Sequence, residues 1–333
     1  MLMKKKSTVI MIMTALLVIC MFLSTKECKA MSQTPFSEHG KLSVQGTQLV
    51  DKNGQAFQLK GVSTHGIAWF PDYVNKDAFQ TIRDWGGNLI RLSLYTEEYN
   101  GYLTGGNQGE LKSLIDKGVK AATDLGMYVV IDWHILNDGN PNTHKEEAKK
   151  FFAEMAEKYA SYDNVIYEIC NEPNGGTSWS DIKTYAQDVI PVIRNFNKNA
   201  VIIVGTPTWS QDVDVASKDP LSGNNLMYAC HFYAATHKQE IRDKVQTALN
   251  NGLPIFVSEF SICDSSGGGQ INTEEAENWM NFLNQNQISY TKWNLSNKSE
   301  SSALIKNSNT SISGWTDNEL TDAGKWIKQQ LGN

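Results

Sequence analysis

Short apolar segments alternate with longer amphipathic segments along most of this chain. The short segments have the length and composition of buried strands, whereas the longer ones repeat apolar residues with the period of a helix. Such alternation is typical of βα units around a parallel sheet. The predicted strands cover residues 57–65, 88–95, 127–134, 165–171, 201–207, 226–233, 254–260 and 289–294. The predicted helices cover residues 76–85, 109–125, 144–160, 179–196, 239–251, 273–286 and 322–331.

The segment 144–160 shows the helical pattern clearly, because Phe151, Phe152 and Met155 fall on one stripe and charged residues fall on the other. A hairpin is expected ahead of the barrel strands, over residues 41–50, followed by a turn at residues 51–54. Eight βα units close into a (β/α)8 barrel, so the predicted fold class is α/β, a TIM barrel with a short N-terminal β-hairpin. Such a barrel carries its chemistry at the carboxyl ends of its strands.

The first 30 residues have a different pattern. Three lysines at positions 4–6 precede an apolar run from Val9 to Leu23, and a polar stretch then ends at Ala30. This pattern predicts a secretory signal peptide over residues 1–30, whose cleavage leaves a single catalytic domain over 31–333 in a secreted, extracellular protein. An uncleaved membrane anchor is the alternative, but the run is short against the roughly 20 residues of a membrane span.

Composition narrows the class of partner. The chain has 333 residues, of which 41% are hydrophobic and 20% are charged, as in ordinary globular proteins. Residues 1–30 contain five lysines and one glutamate, so their removal takes the net charge from -6 to -10. An acidic protein is not expected to bind nucleic acid or an anionic membrane, because like charges repel. We also expect the protein to be a monomer. Cys170, Cys230 and Cys263 have no CxxC spacing and are expected to be buried hydrophobes.

Polar residues suited to catalysis gather at the predicted carboxyl ends of the strands, whereas the strand interiors are almost wholly apolar. These polar and aromatic residues are His65, Arg91, His134, Asn171, Glu172, Trp209, His231, Tyr233, Glu259 and Trp293. Glu172 ends the fourth predicted strand and Glu259 ends the seventh, so their carboxylates should face each other across the barrel mouth. Such a pair can hydrolyse an acetal, because one carboxyl group protonates the leaving oxygen while the other attacks or activates water.

Six short motifs in the expected order resemble those of glycoside hydrolase family 5. They are Leu89–Leu92 (LIRL), Asp132–His134 (DWH), Asn171–Pro173 (NEP), His231–Tyr233 (HFY), Ile255–Phe260 (IFVSEF) and Lys292–Asn294 (KWN). The resemblance runs from about Lys41 to Leu331. Two further segments, residues 63–70 and 293–300, resemble the bacterial endo-β-1,4-glucanases of subfamily 2.

The resemblance implies a retaining endo-β-1,4-glucanase, or cellulase, acting on β-1,4-linked glucan by double displacement. Glu172 would be the general acid/base and Glu259 the nucleophile. Arg91 would hold Glu259 ionised, Tyr233 would hydrogen-bond to Glu259, and Asn171 would bind the sugar 2-hydroxyl.

The resemblance also implies a row of sugar subsites along an open cleft. His231 and His134 would line the cleavage subsite, and Trp293 would form its floor. Flat indole rings can stack on the apolar faces of pyranose rings. The remaining predicted contacts are His65 and Trp69 on the non-reducing side, Lys298 and Glu300 further along that side, and Trp209 on the leaving-group side.

Several alternatives remain open on the sequence. A β-mannanase, xyloglucanase or lichenase of the same family would differ by few contacts, and a non-catalytic glycan-binding barrel is possible because fold does not fix function. A metal site could also form if Asp132, His134, His65 and His231 converged. The sequence contains no H-x-H, H-E-x-x-H or acidic calcium loop, so we expect neither a metal nor another cofactor.

Overall fold

The computed structural model describes residues 33–332, and within them eight parallel strands close into a barrel. Each strand pairs with the next one along the chain, and the last strand pairs with the first. The strands are β3 (Lys60–Thr64), β4 (Leu89–Tyr95), β5 (Tyr128–His134), β6 (Val165–Glu168), β7 (Ile202–Val204), β8 (Leu226–Tyr233), β9 (Ile255–Ser261) and β10 (Tyr290–Leu295). The predicted (β/α)8 barrel is confirmed. The predicted signal peptide lies outside the described residues.

The seven predicted helices are all present, with ends within two residues of the prediction. The α-helices are α1 (Pro35–His39), α2 (Lys76–Asp84), α3 (Gln108–Asp124), α4 (Lys145–Lys158), α5 (Trp179–Phe196), α6 (Pro207–Ser210), α7 (Val213–Ala216), α8 (Gln239–Asn250), α9 (Thr273–Gln285) and α10 (Asp322–Leu331). Two short 3-10 helices lie at Pro71–Tyr73 and Pro141–His144. The link between β7 and β8 contains the short helix α7 and the segment α6, in which Thr208 and Trp209 have left-handed backbone angles.

Side-chain caps fix where several helices begin. Asn75, Asn107 and Asn272 each accept a hydrogen bond from a backbone N–H in the first turn of the following helix. Ser178 and Asp181 form a reciprocal capping box at the start of α5. Because the first N–H groups of a helix have no partner inside it, these caps stabilise the helix starts, and their signal is local in sequence.

Two apolar cores lie on opposite sides of the barrel wall. The outer core packs the helices against the strands and contains large side chains such as Trp133 and Trp279. The inner core fills the amino-terminal end of the barrel, where the first inward residue of most strands contributes a side chain. Leu42 and Leu49 of the N-terminal hairpin join this inner core and cover that end.

The predicted hairpin over residues 41–50 is present, and the structure shows where its own turn lies. Strands β1 (Ser43–Gln45) and β2 (Gln48–Val50) pair antiparallel, so the turn falls at residues 46 and 47. Gly46 has a φ of +59°, a left-handed conformation that glycine adopts without a steric penalty. The turn predicted after the hairpin, at residues 51–54, is also present, with the Gly54 N–H donating to the Asp51 carbonyl.

The strand interiors are not almost wholly apolar, contrary to the prediction. Arg91, Asp132 and Glu168 lie on β4, β5 and β6 with no solvent exposure. Each follows an inner-core residue of its own strand by two positions, so its side chain points to the same side of the barrel wall. A charged layer therefore lies directly above the apolar inner core.

Gly61 should be required for closure of the barrel. A Cβ atom at this position would lie 2.0 Å from the Leu89 carbonyl oxygen on the neighbouring strand. We expect Gly61→Ala to destabilise the fold by about 3 kcal/mol, because it overpacks a backbone contact that cannot move independently. Thermal unfolding followed by circular dichroism measures this loss.

Gly109→Ala is the matched control. Gly109 lies in the first turn of α3, and the nearest atom to its added Cβ is Asn107 Oδ1 at 3.4 Å. Alanine is favoured over glycine in helices, so this variant should be as stable as the parent or more so. Equal melting temperatures for the two variants would contradict the prediction.

Candidate active site

A cavity of about 600 Å³ opens at the carboxyl ends of the barrel strands. Ten of the predicted site residues line it: His65, His134, Glu172, Trp209, His231, Tyr233, Glu259, Trp293, Lys298 and Glu300. Arg91, Asn171 and Trp69 are not among its lining residues. The structure therefore brings most of the predicted residues to one cavity and places three behind or beside its wall.

The two glutamates face each other inside this cavity. One carboxylate oxygen of Glu172, one of Glu259 and one ring nitrogen of His231 all lie within 4.8 Å of one another. Tyr233 donates its hydroxyl hydrogen bond to Glu259 Oε1 at 2.7 Å, and Arg91 Nη1 donates to Glu259 Oε2 at 3.2 Å. Glu172 Oε1 instead lies 2.9 Å from His231 Nδ1. The two carboxyl groups thus have different partners.

Arg91 lies in the middle of β4 beneath the cavity, not at the strand end where the sequence placed it. Its guanidinium group contacts three carboxylates on three other strands. Nε donates to Glu168 Oε2 at 2.7 Å, Nη2 lies 3.1 Å from Asp132 Oδ2, and Nη1 reaches Glu259. One cation thereby serves three buried carboxyl groups, although burial still raises the pKa of Asp132 well above its ordinary value.

Asn171 is fully buried, and both ends of its amide have protein partners. Its Oδ1 accepts from Arg91 Nη2 at 2.6 Å, and its Nδ2 donates to the Ile135 carbonyl at 3.1 Å. A sugar contact was predicted for Asn171. In this structure the side chain connects Arg91 to the loop after β5.

The pKa of Glu259 is set by opposing influences of its neighbours. Burial and the nearby Glu172 carboxylate raise the pKa of Glu259 above its ordinary value of 4.5, whereas the charges of His231 and Arg91 oppose that rise. The expected contact with Arg91 is present, but its charge does not outweigh burial and repulsion. Two carboxylates this close disfavour a state in which both are ionised.

The histidines of the cavity have opposite electrostatic environments. Burial, assisted by the charge of Arg91, lowers the pKa of His134 to about 3. Burial also acts to lower the pKa of His231, but the carboxylates of Glu168 and Glu172 outweigh it and raise that pKa to about 9. At neutral pH His231 is therefore an imidazolium and His134 is neutral.

Sequence reasoning missed three residues of the site. Glu168 and Ser258 lie in the charged layer, fully buried and hydrogen-bonded to each other at 2.6 Å. Tyr95 lines the cavity at the end of β4, with its ring centroid 4.2 Å from that of His134. Glu168 had a detectable signal, because a glutamate inside the apolar run Val165–Ile169 needs a partner to be buried. Ser258 had no such signal.

Of two predicted tryptophans, Trp293 lines the cavity and Trp69 lies behind its wall. Trp293 is 5% exposed, lines the cavity and stacks on His134 with ring centroids 5.3 Å apart. Trp69 is half-buried and stacks on Tyr95 at 4.6 Å, with its Nε1 donating to the Tyr99 carbonyl. Trp69 therefore supports the cavity wall through Tyr95.

Trp209 is 46% exposed at the rim of the cavity. Thr208, Trp209 and Ser210 all have φ between +53° and +57°, a left-handed conformation that is unfavourable for side chains other than glycine. Two bonds hold this turn in place: Trp209 N–H donates to the Pro173 carbonyl, and Ser210 Oγ donates to the Asn171 carbonyl. Strain maintained in this way is typical of functional sites.

Lys298 and Glu300 form an ion pair that lines the cavity. Their Nζ and Oε2 atoms lie 2.7 Å apart, and Lys298 Nζ is also 3.2 Å from His65 Nε2. Glu300 Oε1 accepts from Asn294 Nδ2 at 2.7 Å. Both predicted residues are therefore held by the loop after β10 with polar atoms at the cavity surface.

The metal alternative required convergence of Asp132, His134, His65 and His231. Among residues 33–332, the group of three such side chains with close polar atoms is instead Glu172, His231 and Glu259. Each of these already has a hydrogen-bonded protein partner, and we assign no metal to them. The three cysteines of the described chain are unpaired and buried.

A family model described as "Cellulase (glycosyl hydrolase family 5)" matches residues 50–299. An endoglucanase of Clostridium saccharobutylicum is 49% identical over 98% of this chain and 72% of its own length. Endoglucanase A of Butyrivibrio fibrisolvens is 48% identical over 88% of this chain and 69% of its own length. Both similarities include the strands that carry Glu172 and Glu259.

A solved structure is similar over nearly the whole barrel. The catalytic domain of Thermobifida fusca endoglucanase Cel5A, in complex with cellotetraose, superposes with a TM-score of 0.86 at 37% identity. The match covers 90% of this chain and 100% of that one.

Arg91→Met should destabilise the protein in a pH-dependent way. Burial would raise the pKa of Glu168, but Arg91 and neighbouring hydrogen bonds lower it to about 2. The resulting stability is present above the ordinary pKa of 4.5 and is lost as pH falls through about 2. At neutral pH the variant should lose about 3–5 kcal/mol, because three buried carboxylates lose their cation.

The loss should shrink towards about pH 3, where protonation relieves these carboxylates in the variant. Thermal unfolding at both pH values measures it. Arg83→Met, on the half-buried face of α2, is the control and should show little difference between the two conditions. An equal loss for Arg91→Met at both pH values would show that packing, not charge, is responsible.

Proposed function

The chain belongs to family 5 of the glycosyl hydrolases and is a cellulase, and on that basis we propose that it is a secreted, retaining endo-β-1,4-glucanase. In this proposal it cleaves internal β-1,4 bonds of cellulose-type glucans by double displacement. The observation that carries the mechanism is the separation of Glu172 and Glu259, whose closest oxygens lie within 4.8 Å. Retaining enzymes have carboxyl groups about 5–5.5 Å apart, whereas inverting enzymes need about 6.5–9.5 Å to fit a water molecule.

The environment of each carboxyl group supports its role. Glu259 contacts the cation Arg91 and the hydroxyl of Tyr233, and both favour a carboxylate that can attack the anomeric carbon. Glu172 contacts His231 instead, a ring that can exchange a proton with it. Glu172 would protonate the leaving oxygen in the first step and take a proton from water in the second.

The cavity walls suit a polymer that passes through the site. Trp293, His65 and the Lys298–Glu300 pair lie on one side of the carboxylates, where we place the non-reducing part of the chain. Trp209 lies on the other side, where its exposed indole would stack on the sugar that leaves. Sugar contacts on both sides of the scissile bond favour cleavage within a chain over release of single sugars from an end.

The proposed preference of this protein for glucan is based on its similarity to relatives that are named endoglucanases. Those compared are named endoglucanases, and the solved structure of one holds cellotetraose. A β-mannanase, xyloglucanase or lichenase specificity would need only a few changed contacts, so it is the second candidate. The carboxylate pair with its arginine argues against a non-catalytic glycan-binding barrel, since glycan binding alone does not require buried, repelling charges.

Location and assembly are also proposals. The predicted signal peptide over residues 1–30 supports secretion. Within residues 33–332 no helix combines the length and the apolar character needed to cross a membrane. We propose that the secreted protein acts as a monomer without a bound cofactor.

Glu259→Gln and Glu172→Gln should each lower kcat on a soluble cellulose derivative by about 10³-fold, since each removes a group that takes part in bond making or proton transfer. Reducing-sugar assays on the purified mature chain measure the loss. Glu274→Gln, on the exposed face of α9, removes the same charge outside the cavity and should leave kcat unchanged. Undiminished activity in either cavity variant would overturn the assignment.

Anomeric proton NMR during cleavage of cellopentaose tests mechanism and substrate together. We expect the β-anomer to appear first, because double displacement inverts the anomeric centre twice. Mannopentaose, run beside it, should be cut far more slowly. Initial α-product would refute the retaining mechanism, and faster cleavage of mannopentaose would correct the substrate class.

A further inference from the structure

A continuous chain of hydrogen bonds runs from the charged layer to Glu172. Arg91 Nε donates to Glu168 Oε2 at 2.7 Å, and Ser258 Oγ lies 2.6 Å from the other oxygen of Glu168. His231 Nε2 lies 2.9 Å from Ser258 Oγ, and His231 Nδ1 lies 2.9 Å from Glu172 Oε1. Glu168, Ser258 and His231 are at most 1% exposed, so the bonds among these three residues are shielded from bulk solvent.

The ionisation of Glu168 determines the direction of every bond in this chain. Its contact with Arg91 keeps Glu168 a carboxylate, which can only accept hydrogen bonds. Ser258 must therefore donate to Glu168, and its oxygen is left to accept from His231. It follows that His231 Nε2 always carries a proton, and Nδ1 is the ring nitrogen that can gain or lose one.

We infer that Ser258 and Glu168 are positioning residues that fix the tautomer of His231, so that His231 Nδ1 and Glu172 share one exchangeable proton. The inference rests on the proposed role of Glu172 as the acid/base. It adds to that role, because the general acid is then His231 and Glu172 together and not the Glu172 carboxyl group alone. Neither Ser258 nor Glu168 lines the cavity, so both act through His231.

The protons balance over a catalytic cycle. In the first step the proton of the pair passes to the leaving glycosidic oxygen, and the pair is left as neutral His231, protonated on Nε2, beside ionised Glu172. In the second step water attacks the anomeric carbon, and its proton returns to Glu172 and is shared again with Nδ1. Each turnover thus adds one proton and one hydroxide to the cleaved bond, with Ser258 and Glu168 unchanged.

The surroundings of His231 support a ring that can hold this proton. The ionisable groups that act on it are Glu168, Glu172, Glu259, Asp132 and His134. Four are carboxylic acids, and the single histidine among them is neutral at ordinary pH. The ring therefore lies in a field that stabilises the imidazolium form while its two N–H bonds point to defined acceptors.

Ser258→Ala tests this arrangement in the mature protein. It removes the acceptor of Nε2–H without touching the cavity lining. We expect kcat on cellopentaose to fall about 10- to 100-fold, the range for loss of a hydrogen bond to a charged group, with KM nearly unchanged. Ser258→Thr keeps the hydroxyl and should recover most of kcat.

Ser289→Ala is the matched control. Ser289 is 1% exposed and its Oγ accepts from the Leu59 N–H at 2.9 Å, next to the start of β10 and away from the cavity. It therefore has the same size and burial as Ser258, but its hydrogen bond is to a backbone N–H outside the charged layer. Its melting temperature should fall as in Ser258→Ala, whereas its kcat should stay at the parent value.

The tautomer itself is read by ¹⁵N NMR of histidine-labelled protein, independently of activity. We expect His231 of the parent to show a protonated Nε2 at every pH at which the protein is folded, and Ser258→Ala to lose this restriction. A parent ring protonated on Nδ1 alone, or a Ser258→Ala protein with parental kcat, would overturn the inference. If the parent shows the predicted tautomer but Glu172→Gln retains activity, the proposed function fails and the tautomer assignment stands.

Discussion

The structure depends on one buried cation. Arg91 has no solvent exposure, and its guanidinium group is paired with carboxylates from β5, β6 and β9. A charge in this position is tolerated only when it is neutralised and its donors are satisfied. The need to pair Arg91 therefore fixes how four strands of the barrel meet, and it also determines the electrostatics of the cavity above.

The barrel interior is built in layers because of this constraint. Apolar side chains and the hairpin fill the amino-terminal end, and the hydroxyl of Tyr128 there donates to the Gly40 carbonyl. The charged layer follows, and the cavity with Glu172 and Glu259 lies above it. With little water in the middle layer, each charge acts strongly on its neighbours, so the two glutamates experience different fields although they lie within 4.8 Å of each other.

Each glutamate draws on a separate part of the charged layer. Glu259 is reached by Arg91 directly, whereas Glu172 is reached through His231, Ser258 and Glu168. This division gives one carboxyl group a fixed cation and the other a partner that can exchange a proton. A retaining glycosidase needs both, because the nucleophile must stay ionised while the acid/base changes its protonation state twice in each cycle.

The sequence by itself determined the barrel and most of the cavity lining. Apolar periodicity acts within a few residues, so the helices were predicted to within two residues at each end and the barrel strands to within three. Residues at the carboxyl ends of the strands, such as Glu172 and Glu259, then had to meet at one rim. Tertiary structure decided what these residues contact. Glu168, Ser258 and Tyr95 were missed, because pairing and burial depend on groups from strands far apart in the chain. Such contacts leave no periodic signal, and only the closed barrel brings them together.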